Sequence, residues 1–204
     1  MKIELLLMAA GEGKRFGGRK QLANISGSPL ILKKIDQMTK LVSQAKQHDI
    51  DLRINVILGA YANEIFPKLP FANANLNYFV NPNWREGLGN SISFGCLSVL
   101  SKKTNLKGVD GIMVCLLDQA NLTLNDYLAL LAIFQRNPKV NTCAEYLNQK
   151  GVPAIFTPNC FSQLKSLTGD KGAQGLLTAM PTETVLIENA KFDLDTQQDL
   201  ASLR

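Results

Sequence analysis

Leu5-Leu6-Leu7-Met8-Ala9-Ala10-Gly11-Glu12-Gly13-Lys14-Arg15-Phe16-Gly17-Gly18-Arg19-Lys20 runs from an apolar segment into a loop of small residues and then into cations. Ile3 to Met8 has the unbroken apolar pattern of a strand buried on both faces, as in parallel sheets. Glycines in the loop allow close approach and left-handed backbone. Successive N–H groups can then form an anion-binding nest. A buried strand, a glycine loop and clustered positive charge together describe a seat for a polyphosphate.

Two familiar phosphate loops do not fit. A Walker A loop requires Gly-Lys followed by a hydroxyl residue. Gly13 and Gly18 have its glycine separation, but Arg19, Lys20 and Gln21 follow. A dinucleotide fingerprint requires G-x-G-x-x-G and an acid closing the second strand. Phe16 stands where the third glycine belongs, and Arg53 to Leu58 ends in Gly59-Ala60. A nicotinamide-dependent oxidoreductase is disfavoured on that ground. The next helical pattern begins only at Pro29, so the loop is long enough to wrap a ligand.

Working outward, apolar runs and helical periodicity alternate. Strands are predicted at Arg53–Leu58, Leu76–Val80, Ile112–Leu117, Val140–Glu145 and Val152–Phe156, with a last core strand at Thr184–Ile187. Helices are predicted from Pro29 to Gln47, with Ser28 as N-cap, and over Asn90–Leu100, Thr123–Gln135, Phe161–Ser166 and Ala173–Ala179, with a terminal one opening at Thr196. The alternation predicts a three-layer α/β/α sandwich with a mostly parallel, Rossmann-like sheet, forming one domain over residues 1–204. In such sheets ligands sit beyond the carboxyl ends of the strands. The glycine loop, Asp118 and Asn81-Pro82 all follow strands and are expected to converge on one edge.

The net charge of +5 favours anionic ligands only mildly. Lysines are scattered without a basic run or interleaved aromatics, so nucleic acid is not an expected partner. Cys96, Cys115, Cys143 and Cys160 are too far apart for a metal or redox pair and read as reduced core residues. His48 is the only histidine and lies in a polar stretch, which excludes histidine-based triads and zinc sites. No signal peptide and no membrane-length apolar run is present, which gives a cytoplasmic expectation.

Several motifs occur in a fixed order. The first is A-A-G-x-G-x-R-F-G-x-x-K-Q-L from Ala9 to Leu22. Then come Asn81-Pro82-x-Trp84-x-Glu86-Gly87-Leu88-Gly89-Asn90-Ser91, Leu117-Asp118-Gln119-Ala120, Gly151-Val152-Pro153-Ala154, Thr168-Gly169-Asp170-Lys171-Gly172-Ala173 and Asp193-Leu194-Asp195-Thr196. From residue 3 to about residue 200 this series resembles the MobA-like NTP transferase family, in particular its molybdenum cofactor cytidylyltransferase (MocA-like) branch. Leu117 and Ala120 depart from the family's G-D-Q-P segment, and Gln197 departs from its D-I-D-T-P segment.

The resemblance implies nucleotidyl transfer from an NTP, with CTP and molybdopterin as the pair, and transient contact with a molybdoenzyme or cofactor-insertion protein. Ala9, Ala10, Gly11, Gly13, Gly87 and Ser91 would bind the nucleotide. Arg15 and Lys20 would be catalytic, Asp170 and Lys171 would meet the acceptor, and Asp118 and Asp195 would hold Mg2+. Plainer readings stand beside these. Asp195 or Thr196 could cap the final helix with Asp199. Asn90 or Ser91 could cap the helix after Gly89, and Trp84 could simply pack. The competing functions are a sugar-phosphate or other small-molecule nucleotidyltransferase, and a non-catalytic nucleotide-binding regulator.

Overall fold

The computed structural model describes residues 1–101 and 108–203. In chain order the first elements are β1 (Lys2–Ala9), β2 (Asn24–Ile25), β3 (Ser28–Pro29), α1 (Leu30–Lys46), β4 (Asp51–Leu58), α2 (Ala62–Ile65), β5 (Leu76–Val80) and α3 (Leu88–Ser101). There follow β6 (Gly111–Leu116), α4 (Leu124–Arg136), β7 (Asn141–Tyr146), β8 (Gln149–Phe156), α5 (Phe161–Lys165), α6 (Gln174–Ala179) and β9 (Thr182–Leu186). A short 3-10 helix, Gln197–Ser202, comes last.

Seven strands form one sheet in the order β5-β4-β1-β6-β8-β7-β9. β5, β4, β1 and β6 are mutually parallel, and so are β7 and β9. β8 runs antiparallel to both β6 and β7. The sheet is therefore mostly parallel, as the alternation predicted. Successive side chains of β1 take opposite faces. Leu5 and Leu7 pack with Ile31, Met38 and Leu41 of α1 and with Tyr127, Leu130 and Phe134 of α4. Leu6 and Met8 pack with Ile92 and Cys96 of α3, Leu164 of α5 and Leu177 of α6. Leu5, Leu6 and Leu7 keep no accessible surface, and each such burial contributes ~1.5–3 kcal/mol. The four cysteines are free and buried within these layers.

Three sequence expectations are corrected. Ser28 does not cap α1. Ser28 and Pro29 form the second strand of a small hairpin, and Pro29 itself is the N-cap. Its fixed φ suits an extended residue as well as a first helical turn. The third helix starts at Leu88, so Asn90 and Ser91 lie inside it and cap nothing. The last strand, Thr182–Leu186, is an edge strand rather than a core strand, and Leu186 is 72% exposed.

Candidate active site

The loop after β1 is built so that its carbonyls are occupied. The buried Gln21 amide donates to the Ala9 and Gly11 carbonyls at 3.0 and 2.7 Å. The Ala60 N–H donates to the Ala10 carbonyl at 2.9 Å. Gly13, at φ +68°, closes a turn in which a Cβ would stand 3.0 Å from Lys20 Cβ. That contact brings the end of the loop back across its beginning. Arg19, also left-handed, grips Glu64 of α2 through two bonds of 2.7 and 3.1 Å and stacks over Tyr61. The loop is thus clamped to the element that follows β4.

Lys20 is delivered to the strand tips. Its Nζ lies 2.6 Å from Asp118 Oδ2, beyond β6, and 3.6 Å from Asp195 Oδ1. Arg15 Nη1 is 2.8 Å from Asp195 Oδ2. Two cations from the first loop and two acids from distant segments therefore share one cluster. The capping alternative for Asp195 is resolved by its neighbours. Asp199 accepts from the backbone of Asp195 and Thr196 and from the Thr196 hydroxyl, and these bonds hold Asp199 below its ordinary value. Thr196 is the N-cap, and the Asp195 carboxylate faces the cations.

A cleft of about 630 Å3 opens beside this cluster. Its lining includes Ala10, Gly11 and Gly13 from the loop, Asp118 from the floor, and Trp84, Gly87 and Ser91 from the opposite wall. Asp170 also faces it. A Cβ at Gly87 would meet Asp170 and the Gly169 backbone at 2.5 Å, so only glycine fits there. The Ser91 hydroxyl accepts from Asn81 Nδ2 at 3.1 Å, which ties the end of β5 to α3. Arg85 covers the Trp84 ring at 4.4 Å.

Not every named residue reaches the cleft. Ala9 is in the core and is not among the residues lining the cleft. Arg15 and Lys20 stand in the ionic cluster rather than on the cleft lining. Lys171 contributes only its carbonyl, packed against Gly89, and its side chain is exposed.

Asp118 Oδ1 is buried without a partner, although its sister oxygen holds Lys20. A spare anionic oxygen beside a second carboxylate suits a hard divalent cation. Mg2+ takes one or two carboxylates and completes its shell with water and phosphate oxygens. Among the described residues no group of three or more acidic, histidine or cysteine side chains could cage a metal. Sequence reasoning passed over Asp193. Its carboxyl is pushed up to about 6 by partial burial, then by Asp118 and Asp195, against Lys20 and Arg15. The D-x-D spacing is visible in the sequence, but the resemblance gives a role only to Asp195.

Comparison with known proteins places this geometry. Purine catabolism protein PucB of Bacillus subtilis is 30% identical over 124 residues, which are 58% of this chain and 57% of that protein. The chain thus matches little more than half of that relative's length. Rv0371c from Mycobacterium tuberculosis superposes with a TM-score of 0.73 at 20% identity, covering 99% of this chain and 97% of that one. Its manganese complex gives 0.70 at 21%, covering 100% and 98%. CMP:2-keto-3-deoxy-manno-octonic acid synthetase complexed with CTP gives 0.66 at 11%, covering 99% and 96%. The MobA-like NTP transferase domain matches residues 5–185, which hold the glycine loop, the Asp118 turn and the Gly87 wall around the cleft. A match across that much of the chain is decisive, and this protein belongs to the MobA-like NTP transferase family.

Proposed function

We propose that the chain, acting as a single domain, transfers a nucleoside monophosphate from CTP to the phosphate of molybdopterin, with Mg2+. An oxygen of the acceptor phosphate attacks the α-phosphorus, the bond to the bridging oxygen breaks, and pyrophosphate leaves. The backbone from Ala10 to Gly13 cradles the triphosphate. Lys20 and Arg15 offset charge that builds on the α-phosphate and the leaving group. Asp118 and Asp195 would hold a divalent ion, which would supply further charge neutralisation. Gly87 and Ser91 border the base, and Asp170 and Lys171 flank the acceptor. An acceptor phosphate is already ionised at neutral pH, so positioning and electrostatics suffice without a general base.

The observation that carries this reading is Lys20 held between Asp118 and Asp195 beside a glycine-walled cleft. The choice of CTP and molybdopterin rests on the Asn81–Ser91 segment, which resembles the cytidylyltransferase branch and lines the wall facing the glycine loop. Delivery of the product to a molybdoenzyme or insertion protein belongs to the same reading.

The test is pyrophosphate release by the purified protein with Mg2+, each NTP in turn, and molybdopterin. CTP is expected to be preferred. Lys20→Ala is expected to lower turnover on the order of 100- to 1,000-fold, the cost of losing one preorganised charge donor, while thermal unfolding changes little. Preference for GTP would refute the branch, and wild-type turnover by Lys20→Ala would refute the assigned role.

A further inference from the structure

Lys34 lies in the second turn of α1 and is 3% exposed. Lysine is almost never buried so fully without a charged partner. Here the ammonium donates to three neutral acceptors: Gln37 Oε1 at 3.1 Å, the Gln119 carbonyl at 3.0 Å and the Tyr127 hydroxyl at 3.1 Å. Burial pulls Lys34 down to about 8, while Cys115, Asp118 and Asp126 act on it only through space and in the opposite sense. Such a costly placement has one visible product, a firmly held Asp118 turn.

The rest of the turn's surroundings agree. Gln37 shares a face of α1 with Lys34, and its amide donates to the Leu122 carbonyl at 2.6 Å. One helix therefore straps both ends of the 119–122 segment. From the other side, the buried Gln119 amide donates to the Val152 and Ala190 carbonyls, each at 2.9 Å. The Leu194 N–H donates to the Asp118 carbonyl at 2.9 Å, which joins the turn to the irregular segment carrying Asp195. Lys34 is not among the residues that line the cleft.

We infer that Lys34 is a positioning residue, which holds the Gln119 carbonyl from beneath and so fixes where the Asp118 carboxylate stands. It touches no substrate. Its kinetic consequence rests on the nucleotidyl-transfer reading, and its structural consequence does not. An apolar replacement fills the space but leaves the buried Gln119 carbonyl and Tyr127 hydroxyl short of a partner.

The experiment compares wild type, Lys34→Met and Lys34→Gln by steady-state kinetics and by hydrogen exchange across residues 118–122. Lys34→Met is expected to lower kcat on the order of 10- to 100-fold, the usual effect of removing an outer-shell support, with KM for the NTP within about threefold of wild type. Exchange is expected to accelerate in the 118–122 turn and not in the sheet. Lys34→Gln keeps an N–H donor and is expected to recover part of kcat. It carries the same comparison if Lys34→Met does not fold. A kcat within about twofold of wild type together with unchanged exchange overturns the inference. If the wild type turns over no NTP, the reading of the site fails separately, and exchange alone decides: acceleration confined to the turn supports the tether, and none overturns it.

Discussion

Asp193 shows how one carboxyl registers first its partial burial and then the charges around it. It stands two residues before Asp195, and the charges of Asp118 and Asp195 both act on it. Its carboxyl is pushed up to about 6 from an ordinary 3.8. The folded chain therefore holds a proton on Asp193 through a pH range where the unfolded chain has released it. Stability linked to this group is favourable at low pH, declines as pH rises through roughly 4 to 6, and stays reduced above that range. Asp193→Asn removes the titration. Urea unfolding at a series of pH values is expected to show the wild type losing ground to Asp193→Asn across that window. Parallel curves would show that the site does not perturb Asp193. At this scale the sequence was only partly readable. Lys20 stands out as a cation after a glycine loop and Asp118 as a carboxylate at the tip of an apolar run, whereas Asp195 is marked only by the resemblance of its segment to the family's D-I-D-T-P stretch. Lys34 gave no signal, since a lysine in an amphipathic helix reads as a solvated one, and only the packing of α1 under the Asp118 turn reveals otherwise.

Elements meet closely where α3 abuts the 168–171 segment. The Gly89 N–H donates to the Gly169 carbonyl at 2.8 Å. A Cβ on Gly89 would stand 2.6 Å from the Lys171 carbonyl and 2.7 Å from that of Thr168. Both obstacles are backbone, so the segment itself must move. Gly89→Ala is expected to cost ~1–3 kcal/mol, the range for overpacking a close contact, and to weaken nucleotide binding because Asp170 and Gly87 move with it. Denaturation midpoints and a nucleotide titration measure the two effects, and an undisturbed midpoint would contradict the geometry. The principal elements were legible because the strands are short unbroken apolar runs and the helices carry a 3.6-residue apolar period. Boundaries failed where one residue suits two environments. Pro29 fits a first helical turn and an extended cap alike, and the apolar residues of Thr182–Leu186 suit an edge strand as well as a buried one. The antiparallel sense of β8 had no local sign, because strand direction is decided by the connections and not by composition.

Across the whole molecule, the segment after β9 returns to the centre of the site. Ile187, Ala190 and Leu194 are almost fully buried beneath it. The family match ends at residue 185, before both Asp193 and Asp195. A chain ending at Leu186 would lose those apolar contacts, one acid of the ionic cluster, and the Ala190 and Leu194 bonds to the Asp118 turn. It is expected to unfold at a clearly lower temperature, since each large apolar side chain removed from a core costs ~2–5 kcal/mol, and to show no turnover. A truncated chain with wild-type melting would mean that the tail is only an appendage.

The reversed direction of β8 has a practical outcome. It makes β7 and β8 a hairpin whose two-residue tip, Leu147 and Asn148, lies at the end of the sheet where Tyr146 approaches Asp193. Both tip residues are left-handed, at φ +50° and +58°. Lengthening the connection there would relax an awkward bend, and each doubling of its length would carry an entropic cost of only ~0.6 kcal/mol. That side of the molecule can therefore take up inserted residues while the strands keep their register.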